Sequence, residues 1–154
     1  MIKKQFSILF AALLVFTFLG LMPDATAEKE VTQVKVNVTI LSASNTGNDF
    51  NLVNDAYRDE LIKLFSYTSY NQVNAVRRDL IKGVDQNIDL PEGFELVLTL
   101  QGWENDRIQV RALVRKAGLT YVDTVLSILQ PGVVFVGGPE LEKGALIIVL
   151  ETGF

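Results

Sequence analysis

The chain has 154 residues, with 14 Lys and Arg against 18 Asp and Glu, and it contains neither His nor Cys. A formal charge of -4 argues against nucleic acid as a partner, because a phosphate backbone rewards clustered positive charge. Without Cys there are no disulfides, and without His the side chain that most often moves protons near neutral pH and holds transition metals is missing. Any enzyme built on this chain would work with carboxylates, Lys, Ser or Tyr, so the expectation is a non-enzymatic protein with no cofactor and no metal.

The first residues, MIKKQFSILFAALLVFTFLGLMPDATA, place Lys3 and Lys4 ahead of an apolar run over 6–22. Pro23 and the small triplet Ala25-Thr26-Ala27 come next. That is the order of a secretory signal peptide cleaved after Ala27. The run is also close to the lower limit of a membrane span, which makes an uncleaved anchor the alternative. No Cys stands after it for acylation. The expected product is an exported protein, periplasmic or extracellular, with 28–154 as a single domain and membrane contact only through a retained leader. Removing Lys3, Lys4 and Asp24 leaves 12 basic and 17 acidic residues, a net charge of about -5.

Over 34–40 the sequence VKVNVTI is apolar at every second place, which puts Val34, Val36, Val38 and Ile40 on one face of a strand. The stretch 42–48 reads as a loop in which Asn48, or Asp49 just after it, caps the next element. Over 50–66 the period becomes helical: Val53, Tyr57, Leu61, Leu64 and Phe65 share a side, and Asp59 stands four residues before Lys63. Residues 70–82 fit either period, through Val73, Val76, Leu80 and Ile81 as a helix or through Tyr70, Gln72, Asn74, Val76, Arg78 and Leu80 as a strand. The preceding SYTSY combines poor helix formers with β-favouring rings, so a strand is preferred.

A short strand over 85–90 ends at the turn Pro91-Glu92-Gly93. Strands over 94–100 and 107–115 flank a loop, 101–106, that contains Trp103, and a second hairpin over 116–118 leads into 120–129. A three-residue loop with Gly118 left-handed would set Arg111 opposite Asp123. Gln130-Pro131-Gly132 turns the chain towards strands over 133–136 and 145–150. The expected class is α+β, with one amphipathic helix packed on a mostly antiparallel, curved sheet or half-open barrel of about eight short strands.

Few residues read as a site. Gly137-Gly138-Pro139 resembles a phosphate loop at first sight, but Pro139 lacks an N–H and Glu140 and Glu142 add negative charge where an anion would sit. A structural turn with positive φ at a glycine is the better reading. Arg107, Arg111 and Arg115 form a basic row along one strand face, with Asp123 and Glu95 as candidate partners for Arg111. Trp103, the sole tryptophan, joins that row as a candidate binding surface. Tyr57, Leu61 and Phe65 would line a cavity between helix and sheet if the protein carried a small ligand, and Phe65, Tyr67 and Tyr70 suit either a groove or packing. The carboxylates Asp55, Asp59 and Glu60 lie on a solvated helix face and match no acid pair. Asn37-Val38-Thr39 matches a glycosylation sequon in mid-strand.

The segment 120–150, TYVDTVLSILQPGVVFVGGPELEKGALIIVL, resembles the closing strands of the secretin homology domain through Thr124, Gly132, Val134, Val136, Gly137 and Gly138. The chain departs from that family at Pro139, in its length and in having no ring modules upstream, so no pore role is implied. Together with Ser69-Tyr70 and Leu90-Pro91-Glu92-Gly93 the pattern also looks like small exported bacterial proteins without an assigned activity. The resemblance implies an accessory envelope protein.

Two functions are therefore expected. The first is a binding or accessory module in an envelope secretion or pilus-type assembly, with an envelope protein as partner, using a free sheet edge or the Trp103 and arginine surface. The second is a small-ligand or lipid carrier. Edge strands also permit self-association.

Overall fold

The structure, a computed structural model, describes residues 32–53 and 55–153. The leader expected over 1–27 therefore lies outside the described residues. In chain order the elements are β1 (Gln33–Ser44), β2 (Phe50–Asn51), a 3-10 turn (Asp55–Tyr57), α1 (Arg58–Leu64), β3 (Ser69–Ile81) and β4 (Asp85–Asp89). After a second 3-10 turn at Pro91–Gly93 come β5 (Glu95–Glu104), β6 (Arg107–Lys116), β7 (Leu119–Leu129), β8 (Gly132–Leu141) and β9 (Gly144–Thr152).

The nine strands form two sheets, not one curved sheet of about eight. The first has the order β2-β3-β1-β9-β8 and the second β4-β5-β6-β7. Every pairing is antiparallel except the short β2–β3 contact. The chain changes sheet at Gly83, whose N–H donates to the Leu100 carbonyl, and again at the Gln130-Pro131 corner. Alternation within a strand reveals which residues face inward; it does not reveal which sheet the strand joins.

Val34, Val36, Val38 and Ile40 of β1 pack against Leu96, Leu98 and Leu100 of β5 and Ile108, Val110 and Val114 of β6 as one buried cluster between the sheets. The opposite face of the first sheet is covered too. Leu41 and Ala43 of β1 and Ile147 and Val149 of β9 join Tyr57, Leu61 and Tyr70 in a second cluster beneath α1. Residues 145–150 of β9 are all buried, which explains the unbroken ALIIVL run: a strand covered on both faces has no polar side.

The helix is shorter than its pattern. Phe50 and Asn51 pair with Tyr70 and Asn71, and the Phe50 ring lies 5.4 Å from that of Tyr70. Asp49 uses its carbonyl to accept the Tyr70 N–H and caps nothing, and the residue before α1 is Tyr57. Val53 and Leu64, 86% and 56% exposed, fall off the packed face, while Tyr57 and Leu61 are buried and Phe65 half-buried. Lys63 pairs with Glu60 at 2.9 Å rather than with Asp59. The ambiguous stretch 70–82 is strand, with Val73 bulged out between Asn74 and Gln72 in the pairing with β1.

Both hairpin loops of the second sheet are tighter than expected. Asn105 and Asp106, with φ of 49° and 60°, form a two-residue turn, so β5 runs on to Glu104 and carries Trp103 within the strand. Ala117 and Gly118, with φ of 49° and 77°, form another. Left-handed residues at both central positions match the twist of the flanking strands. With two residues in the loop and Tyr121 bulged, Arg111 stands opposite Val125, and Asp123 opposite Leu113. Gly137-Gly138-Pro139 is not the turn: it is a bulge inside β8, where Gly137 pairs with Ile147 and Glu140 with Ala145. Neither glycine has positive φ; a Cβ on Gly138 would approach that of Leu146 to 3.0 Å. The turn lies at Glu142 and Lys143 and closes on Gly144, whose φ is 99°.

Candidate functional site

The outer face of the second sheet carries the arginine row. Alternation along β6 sends Ile108, Val110, Ala112 and Val114 inward and leaves Arg107, Arg111 and Arg115 exposed. The row is largely neutralised within the sheet. Arg111 grips Asp123 with two parallel bonds, Nε to Oδ1 and Nη2 to Oδ2, both 2.8 Å, and the guanidinium holds the Asp123 carboxyl below its ordinary range. Asp123 is not directly opposite Arg111, but a diagonal neighbour on the same face is within reach of a long side chain. Glu95 serves Arg115 at 2.6 Å, and not Arg111, because it stands directly opposite Arg115. Arg107 donates to the Ser127 carbonyl at 3.4 Å.

Trp103 does not complete that surface. It stands opposite Ile108, which is fully buried, and paired residues share a face, so the indole lies on the other side of the sheet from Arg107. It is 39% exposed. The fold thus keeps Arg107, Arg111 and Arg115 together and separates Trp103 from them.

Tyr57, Leu61 and Phe65 do come together, as part of the second core. The Tyr57 ring meets Phe135 edge-on at 5.7 Å, and its hydroxyl donates to Glu151 Oε2 at 2.9 Å. The Tyr70 hydroxyl is shared between the carbonyls of Leu61 and Phe65, both at 3.2 Å, and burial pushes the Tyr70 phenol up. These groups fill the space between helix and sheet. Among the described residues no cluster of three acidic, His or Cys side chains could hold a metal, and no helix is long and apolar enough to cross a membrane.

The feature that reading by motif passes over is an edge. A strand at a sheet margin presents unpaired backbone groups, and proteins usually blunt it with brevity, charge, proline or a bulge. Three of the four margins here are blunted. β4 has five residues, two of them Asp85 and Asp89. The long edge of β3 carries Arg77, Arg78 and Asp79 and the Val73 bulge. The β8 edge is broken by its bulge at Pro139. β7 is the least blunted: eleven residues, LTYVDTVLSIL, with a bulge only at Tyr121 near its start and one charge, Asp123, which is held by Arg111. Leu119, Tyr121, Val125 and Leu129 are 64%, 49%, 50% and 47% exposed along it. Its inward residues Val122, Thr124 and Leu126 are only half-buried, whereas Ile128 near its end is fully buried. The signal was present as a β-branched, low-charge run without Pro or Lys.

No protein-family model, curated protein or solved structure matches this chain.

Proposed function

We propose that the protein is a non-enzymatic binding module of the bacterial envelope, exported by its leader, which engages its partner by strand addition along β7. The observation that carries this reading is the contrast among the four sheet margins, of which β7 is the long, apolar and least blunted one, regular from Val122 to Leu129. Added main-chain hydrogen bonds give affinity in such a contact, and alternate side chains give specificity. An accessory role in a secretion or pilus-type assembly accords with the leader pattern and with the resemblance of 120–150 to the closing strands of the secretin homology domain, a segment that contains most of β7. The arginine row supports the reading less well, because Arg111 and Arg115 already have carboxylate partners. A carrier role draws no support from Tyr57 and Leu61, which are packed among other side chains.

The test is in-cell photo-cross-linking from position 125 on β7, with position 87 on β4 as the control. Adducts from 125 and none from 87 are expected. Equal yields from the two strands, or none from either, would remove the β7 edge as the binding surface.

A further inference from the structure

Resting on the strand-addition reading, we infer that the strand added to β7 is the β7 of a second copy, paired antiparallel about a two-fold axis through Val125. Antiparallel addition across a perpendicular two-fold keeps both faces of the sheet continuous, so each residue meets its image-related partner on the same side. With the axis at Val125, residue 123 faces 127, 124 faces 126 and 122 faces 128.

The outer-face pairs are chemically matched. On the outer face Val125, half exposed in one copy, would cover Val125 of the other. Asp123 would face Ser127. The Ser127 hydroxyl oxygen accepts from Gln109 Nε2 at 3.0 Å, which leaves its proton free to donate to the Asp123 carboxylate across the axis. That carboxylate, already charge-balanced by Arg111, keeps lone pairs beyond the two bonds it accepts. The two Asp123 side chains would be four residues out of register, about 14 Å apart along the strand, so like charges do not meet. On the inner face Val122 would meet Ile128, which is already buried, and Thr124 would meet Leu126, so that the half-buried Val122 and Leu126 gain apolar cover. Shifting the axis to Thr124 sets Asp123 against Val125 and loses this match. The result is a continuous eight-stranded outer sheet across two copies, with β4 of each copy, short and acidic, at its ends.

The chain has no Cys, so an introduced thiol is unique. At the axis, directly opposed Cα atoms are about 4.5–5.5 Å apart, within disulfide range. Full-length Val125→Cys is therefore expected to form a disulfide dimer under mild oxidation, whereas Ser127→Cys alone, displaced by four residues, is not. Sedimentation of the wild-type chain should show a monomer–dimer equilibrium. Val125→Lys, which opposes two ammonium groups at the axis, should weaken it at least tenfold with an unchanged circular dichroism spectrum. Cross-linking of Ser127→Cys as readily as Val125→Cys, or a dimer that survives Val125→Lys, would overturn the inference. So would a monomer at every concentration with no Val125→Cys dimer. In that last case adducts from position 125 to another polypeptide would preserve strand addition itself, and their absence would end both readings.

Discussion

Leu61→Ala tests whether the helical layer is held by one anchor. α1 has seven residues, ten with the preceding 3-10 turn, well below the length at which a helix persists alone in water. It exists because Leu61, fully buried, and Tyr57 seat in the second core. Truncation removes three carbons. At about 0.8 kcal/mol for each, with a further contribution from the cavity left behind, the local loss is about 3 kcal/mol. That corresponds to roughly a 150-fold rise in local opening. Hydrogen exchange read by mass spectrometry should show it over 55–66, where the Phe65 amide donates to the Leu61 carbonyl. Peptides from β5 and β6, which belong to the other core, should keep their protection. Protection lost equally in β5 and β6 would mean that the two cores open as one unit and that separate anchoring of the helix is wrong.

Four other outcomes rest on particular local surroundings. Gly144→Ala should cost more than about 3 kcal/mol in urea denaturation, because the left-handed backbone and a Cβ driven onto the Ala43 carbonyl act together. Gly83→Ala, also left-handed but facing open space, should cost only about 1 kcal/mol. Tyr70→Phe removes the hydroxyl shared by the Leu61 and Phe65 carbonyls and should cost about 1–2 kcal/mol. Since the folded phenol titrates above its ordinary 10.0, its stabilising share is complete below that value and lost as pH rises towards the folded one; the variant should show a shallower alkaline decline. For Asp123 the sign reverses. Its carboxyl is depressed below 3.8, so the benefit over Asp123→Asn should hold above that value and vanish as pH falls through the folded one, as read from urea midpoints across an acid series. The effect should be small, because the pair is exposed.

Strand positions were legible because period two survives in nearly every element: Val34 to Ile40 and Ile108 to Val114 face inward as their alternation predicts. The partition into two sheets was not, since it depends on contacts between strands far apart in sequence. Helical periodicity overstated α1 because Phe50 gains more by stacking near Tyr70 than by extending a short helix. The hairpins were placed correctly but made too long. Asn105, Asp106 and Ala117 adopt left-handed backbone that residue type alone does not demand, and one extra residue in a loop moves every cross-strand pair. Here the shorter loop and the Tyr121 bulge together shift the pairing by two residues, which keeps Asp123 on the face of Arg111 and makes the two meet diagonally. At the site, alternation exposed the arginines and pointed to Asp123 for Arg111, but it gave Glu95 to the same arginine rather than to Arg115, and the β7 edge became visible only once its neighbours were known.

The position of β1 has a consequence for the order of events during synthesis. It lies between β3 and β9, and Val38 pairs with Leu150. The first described strand to leave the ribosome therefore waits for the last described one before its second flank is covered, and the cores on both of its faces stay incomplete until then. Loop closure over so much chain is slow. The first sheet therefore gains its full two-sided cover only when β9 joins it, however early the hairpins of the second sheet have formed.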